Sequence, residues 1–158
     1  MKIIGIDPGY DRVGIAIIEN KELIHSECFS TSPKDPFHKR LTEIGQRINT
    51  VIKRYSPEIM AIESLFITKN QKTAMKVAEA RGVISYEASL MNIEIFEYSP
   101  PEIKVAITGY GNSDKAQIIK MIPLILKIKA KKALDDEYDA IAVALTCQAH
   151  LKSKISKK

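Results

Sequence analysis

Ile3-Ile4-Gly5-Ile6 is a short β-branched run that ends on a carboxylate, Asp7, followed at once by Pro8-Gly9. Such a run suits a strand covered on both faces. Pro-Gly suits a tight turn, with φ preset by proline and positive φ open to glycine. At the end of a buried strand a side chain leaves the core and meets a cleft. Asp7 alone would read as an ordinary turn former. Its weight comes from three acids further along, Glu63, Asp136 and Asp139.

The next elements follow from periodicity. Residues 12–19 form a second strand, paired antiparallel with the first across the short turn, and 22–30 a third, making a meander. Ser32-Pro33 is expected to open a helix with Phe37, Leu41, Ile44, Ile48 and Ile52 facing the sheet, leaving Lys39, Arg40, Arg47, Lys53 and Arg54 on the other faces. Ile59-Met60-Ala61-Ile62 then repeats the opening layout, an apolar strand closing on Glu63. A helix between two strands implies a right-handed crossover and parallel placement, so Asp7 and Glu63 should leave the sheet at neighbouring strand ends.

A second helix is expected over about 72–91, with Ala74, Val77, Ala78, Val83 and Ile84 on its apolar side, and a fifth strand over 93–98. Ser99-Pro100-Pro101 starts a short helix carrying Ile103, Val105 and Ile107. The Gly109-Tyr110-Gly111 loop leads to Ser113-Asp114, which offers N-caps for a helix from Lys115. Pro123 should kink or stop that helix at Met121-Ile122. The fold class is therefore α/β: a five-stranded mixed sheet, meander plus parallel strands, with helices on both faces.

At 158 residues, 45% hydrophobic, the chain reads as one domain over 1–151 with a basic, disordered tail at 152–158. No apolar run reaches the ~18–20 residues of a membrane span, and the strand pattern broken by Asp7 is no signal peptide. Cys28 and Cys147 lack metal-ligand spacing and read as reduced core residues of a cytoplasmic protein. The net charge of +5 is uneven: residues 1–32 hold three basic and five acidic groups, 33–54 six and two, 69–132 eleven and six. Acidic centres in a basic frame suit a polyanionic partner, although solvated lysines alone would give the same balance.

Asp135-Asp136-Glu137-Tyr138-Asp139 begins a last helix that continues into Ala140-Ile141-Ala142-Val143-Ala144. Acids in a first turn favour the helix dipole, which accounts for Asp135 and leaves Asp136 and Glu137 open to that role. Asp136 and Asp139 lie three apart, on one face, and Asp139 enters a close-packing alanine-rich segment where a carboxylate needs a partner. Asp7, Glu63, Asp136 and Asp139 thus become candidates for one cluster. Hard oxygen donors without paired histidines or cysteines suit Mg²⁺, with Mn²⁺ as a substitute. Two ions about 3.5–4 Å apart would support metal-assisted phosphodiester hydrolysis.

In order and spacing these residues resemble the RuvC family of Holliday-junction resolvases, within the RNase H-like fold. Ile4-Gly5-Ile6-Asp7-Pro8-Gly9 resembles the family's opening motif and Ala61-Ile62-Glu63-Ser64-Leu65-Phe66 its second. Residues 70–82 resemble the following helix, Gly109 to Lys115 the glycine loop with its lysine, and Asp136-Glu137-Tyr138-Asp139-Ala140 the terminal acid pair. The resemblance implies a homodimer that binds four-way junction DNA and nicks two opposing strands, with Asp7, Glu63, Asp136 and Asp139 as catalytic metal ligands. It implies dimer contact through the helix around Lys72–Arg81, whose Ala74, Ala78 and Ala80 permit close approach, and a branch-migration helicase complex as partner. Phe66 would stack on an unpaired base. Lys104 and Lys115 would sit near the scissile phosphate, with Lys115 catalytic, and Lys69, Lys72, Lys76 and Arg81 would contact the DNA backbone.

Three rival readings remain at this stage: an RNase H-like nuclease on another nucleic acid, a non-catalytic junction-binding module, and an actin-like ATP-binding protein. The last needs two lobes and a second phosphate loop, for which 158 residues leave little room. Four intact acids weigh against the binding module, since a binder gains nothing from carboxylates near phosphates.

Overall fold

The computed structural model describes residues 1–65, 71–129 and 134–155. Its strands are β1 (Lys2–Asp7), β2 (Arg12–Glu19), β3 (Glu22–Ser30), β4 (Ile59–Glu63) and β5 (Glu94–Tyr98), in one sheet of order β3-β2-β1-β4-β5. The first three pair antiparallel, while β4 and β5 run parallel to β1. The helices are α1 (Phe37–Tyr55), α2 (Gln71–Leu90), α3 (Pro100–Thr108), α4 (Lys115–Leu126) and α5 (Asp135–Ile155).

The period of two along each strand divides the core. Ile4, Ile6, Ile15, Ile17, Met60 and Ile62 turn to one face, where they meet Ile44, Ile48 and Ile52 of α1 and Ile84 of α2. Ile3, Ala16, Ile18 and Ala61 turn to the other, against α3, α4 and the alanine-rich α5. Asp7 has the parity of Ile3 and Gly5, and Glu63 that of Ala61. The alternation therefore aims both carboxylates at the α5 face.

The helix α5 comes unusually close to the sheet because two strand positions carry no side chain. A Cβ at Gly5 would overlap the Ala140 carbonyl oxygen and lie 2.7 Å from Ala144 Cβ. A Cβ at Gly14 would overlap the carbonyl oxygen of Asp136 itself. These glycines, with Ala16, Ala140 and Ala144, let the helix backbone rest on β1 and β2.

Several expectations need correction. The helix α1 starts at Phe37, not at Ser32-Pro33; Pro36 keeps Asp35 out of helical geometry, and Asp35 N–H closes a turn on Ser32 O at 3.1 Å. Arg40, assigned to solvent, is buried. The core side of α2 is Ala80, Ile84 and Ala88, while Ala78 is exposed and Ala74, Val77 and Val83 are half-buried. Pro123 does not stop α4 at Met121-Ile122. Ile122, Pro123 and Leu126 are buried in the final turn, and Pro123 O still accepts Ile128 N–H at 3.0 Å. Packing there outweighs the one lost helical bond. Val105 is exposed although Ile103 and Ile107 are buried. The helix α5 runs to Ile155, four residues into the expected tail.

Gly5→Ala should cost roughly 3 kcal/mol, because backbone rather than a flexible side chain must move. For a chain of this size that lowers Tm by about 6–12 °C, readable by calorimetry. An unchanged Tm would contradict the close approach.

Candidate active site

Asp7 and Glu63 each stand one residue beyond a paired position of the parallel ladder, Ile6 opposite Ile62. They therefore emerge side by side where β1 and β4 end. The first turns of α5 lie over this edge and supply Asp136 and Asp139. Asp136 is placed by its neighbours in β2 and β3: Arg12 Nε lies 3.3 Å from its Oδ2, and Cys28 Sγ, opposite Gly14 in the ladder, donates to the same oxygen at 3.8 Å. Glu137, buried at the next position, accepts from the Ser26 hydroxyl of β3 and so ties the start of α5 to the sheet.

A second cation enters from α4. Asp114 caps this helix by accepting Gln117 N–H at 2.8 Å, and its own N–H donates to Gln117 Oε1 at 2.9 Å. Lys115 is thereby the first helical residue. Its Nζ donates to Asp139 Oδ2 at 2.8 Å and lies 3.5 Å from Asp135 Oδ2. Two clefts open on either side of Glu63. One of about 220 Å³ is lined by Asp7, Glu63 and residues of α2; the other, about 200 Å³, by Glu63, Lys104, Lys115 and Asp139.

The electrostatics separate the four acids into two pairs. Asp136 and Asp139 have cationic partners. Among the described residues, the carboxylates of Asp7 and Glu63 have no hydrogen bond or salt bridge. Burial, followed by repulsion from Glu63, Asp139 and Asp136, pushes the Asp7 carboxyl up to about 8. Burial and then Asp139 raise Glu63, against the pull of Lys115. Asp139 is also raised, because its burial outweighs the Lys115 hydrogen bond. For Lys115 burial opposes the charge, but the bond to Asp139 and the nearby acids outweigh it, so the ammonium is held more firmly than usual.

Two poorly solvated carboxylates that have no hydrogen-bond donor or ion-pair partner among the described residues fit a divalent ion with oxygen ligands. Among the described residues no three acids, histidines or cysteines close into a ready-made cage. The Arg12 and Lys115 contacts each already hold one acid.

Of the residues singled out from sequence, Asp7, Glu63, Asp136, Asp139, Lys115 and Lys104 come together. Lys72 and Lys76 are exposed on α2, with Lys76 Nζ 5.3 Å from the Tyr10 ring centroid and 5.5 Å from that of Phe37. Arg81, on the same helix, lies within ion-pair distance of Glu97 of β5. Phe66 and Lys69 lie outside the described residues. Sequence reasoning missed Arg12, Cys28, Glu137 and the fixing role of Gly14, all of which act through cross-strand or helix-on-sheet proximity. Cys28 is a correction: it edges the site instead of sitting in the core. His150 is half-buried, with Nδ1 2.9 Å from Tyr98 Oη.

A mixed sheet in this order, with carboxylates at adjacent strand ends and on the packed last helix, defines an acid-centred protein of RNase H-like fold. The family model for crossover junction endodeoxyribonuclease RuvC matches residues 3–147. RuvC of Petrotoga mobilis is 43% identical over 148 residues, covering 91% of each chain, and RuvC of Thermosipho melanesiensis is 44% identical, covering 91% of this chain and 94% of that one. The structure of Thermus thermophilus RuvC in complex with a Holliday junction substrate superposes with a TM-score of 0.91 at 30% identity, covering 98% of this chain and 96% of that one. A yeast mitochondrial Holliday junction resolvase shares the fold, with a TM-score of 0.67 at 15% identity over 96% of this chain and 80% of that one. The chain belongs to the RuvC family of crossover junction endodeoxyribonucleases.

The Asp7 shift carries a pH dependence. Between its ordinary value of 3.8 and about 8, the folded protein holds a proton that the unfolded chain has released, so metal-free stability falls as pH rises. Asp7→Asn removes that loss and should add about 2 kcal/mol at pH 8 without metal, or roughly 4–8 °C in Tm, with little gain at pH 4. Equal destabilisation at both pH values would contradict the assignment.

Proposed function

We propose that this chain resolves four-way DNA junctions by metal-dependent hydrolysis of phosphodiesters on two opposing strands, acting as a homodimer. The observation that carries the reading is the uncompensated Asp7–Glu63 pair under Asp136 and Asp139, open to a cleft that Lys104 and Lys115 line. The Thermus thermophilus relative, solved with a Holliday junction substrate, supports the substrate class.

Asp7, Glu63, Asp136 and Asp139 would hold Mg²⁺, or Mn²⁺ in its place, in a two-ion site. Bound there, the metal supplies activation of the attacking water and stabilisation of the leaving oxygen. The chain's own part is placement and charge. Strands β1 and β4 present Asp7 and Glu63 from a rigid sheet edge, which holds the acids without reorganisation when a phosphate arrives. Lys115, kept protonated beside Asp139, and Lys104 in the same cleft offset negative charge gathering on the phosphate. Lys72 and Lys76 extend the cationic surface along α2, and Phe66 and Lys69 precede that helix in the chain.

The outer side of α2 supports the dimer. Met75 is 66% and Tyr86 61% exposed, and Gly82 between them has open space around it. Burying such a face on its own copy gives two equivalent sites for a nearly two-fold substrate. A branch-migration helicase complex is the further partner we propose on family grounds, in the cytoplasm.

The test is a mobile four-way junction and a linear duplex of the same sequence, each with and without Mg²⁺. Paired symmetric nicks on the junction alone are expected, lost in Asp7→Asn, and slowed roughly 100-fold in Lys115→Ala with junction binding kept. Equal cutting of the linear duplex would contradict the substrate assignment. Junction binding without cuts under any divalent metal would contradict the chemistry.

A further inference from the structure

Arg40 is a charged side chain on the buried side of α1, one turn before Ile44, and it is only 5% exposed. Its Nε and Nη2 groups are both engaged. The Nε group donates to Thr31 Oγ1 at 2.9 Å, and Nη2 donates to Tyr10 O at 2.9 Å and to the Asp11 carboxylate. Thr31 closes the arrangement, its hydroxyl donating to Tyr10 O at 2.6 Å and its N–H to Asp11 O at 3.0 Å. The guanidinium carbon also lies 5.2 Å from the Tyr10 ring centroid. Burying a guanidinium carries a large desolvation cost before its partners offset it, and an apolar side chain of similar length would pack α1 at least as well. Arginine at this position supplies direction, because its planar fork fixes the angle as well as the distance of what it binds.

What the fork holds is the turn of residues 8–11. One end of that turn is Asp7 and the other is Arg12, whose Nε stands 3.3 Å from Asp136 Oδ2. A shift of the turn therefore moves two of the four acids' settings at once. We propose that Arg40 is a positioning residue of the active centre: by clamping the Tyr10–Asp11 turn to Thr31, it sets Asp7 and the Arg12–Asp136 pair, and strand cleavage depends on it although it touches neither substrate nor metal. The inference rests on the nuclease reading above.

Arg40→Met, Arg40→Lys and the milder Thr31→Val separate positioning from bulk stability. For each variant three quantities are measured well below its Tm: the single-turnover cleavage rate of pre-bound junction, the junction Kd without divalent metal, and Mn²⁺ binding to the protein alone by electron paramagnetic resonance. Arg40→Met should slow the cleavage step tenfold or more, since ångström misplacement of reacting groups costs up to ~100-fold. Junction Kd should stay at the parent value, Mn²⁺ binding should weaken, and rates should rank Arg above Lys above Met. If Arg40→Met does not fold, Thr31→Val must show the same split, smaller in size. Folded variants with the parent's cleavage rate and Mn²⁺ affinity would overturn the proposal, as would a rate loss matched by an equal loss of junction binding. A parent that binds Mn²⁺ but fails to cut junctions would count against the proposed function; the variants' Mn²⁺ affinities would still decide the role of Arg40.

Discussion

The contact on which the site depends is backbone against backbone, where α5 rests on β1 and β2 at Gly5 and Gly14. Any side chain at either glycine would occupy space held by a carbonyl of α5, Ala140 O in one case and Asp136 O in the other. The two strand-end acids, at 7 and 63, and the two helix acids, at 136 and 139, are far apart in the chain. Only this close approach brings them into one field, strong enough to raise Asp7 through burial and through Glu63, Asp139 and Asp136 together. Fold and site are thus the same contact seen from its two ends.

The site also shows how a fold can carry repulsion that works against it. Asp136 and Asp139 have ion-pair partners in Arg12 and Lys115, whereas among the described residues Asp7 and Glu63 have none and feel Lys115 only at longer range. An apolar sheet edge would be more stable at neutral pH. Uncompensated charge of this kind persists where a ligand offsets it, and oxygen donors at high negative potential are what a hard divalent ion requires. The surrounding order is correspondingly over-determined. Glu137 is tied to Ser26, Lys115 is set by the Asp114–Gln117 cap, and the 8–11 turn is tied to Arg40 and Thr31.

Much of this could be read from residues alone. Two short apolar runs, each ending on an acid, located Asp7 and Glu63. The helical crossover between them implied the parallel pairing that sets them side by side. Period-two alternation, applied to Ile3, Gly5 and Asp7, would have indicated the face as well. Other features were hidden for physical reasons. Amphipathic patterning places charges outward, so it could not show an arginine satisfied by a turn, as Arg40 is. In α2, alanines on every side blur the apolar stripe, and the core side proved to be Ala80, Ile84 and Ala88. Arg12, Cys28 and Glu137 acquire their roles from ladder register and helix docking, which no local spacing encodes. Proline rules expected α4 to break at Pro123, but they count one lost bond and not the burial of Ile122 and Leu126 around it.

The most direct measurement is the anomalous difference density of crystals soaked in Mn²⁺. Density is expected within ligand distance of Asp7 and Glu63, at the edge covered by α5, and is lost in Asp7→Asn crystals. Saturating Mn²⁺ that leaves this edge empty, or binds only elsewhere on the chain, would contradict the claim that these four acids form a metal centre.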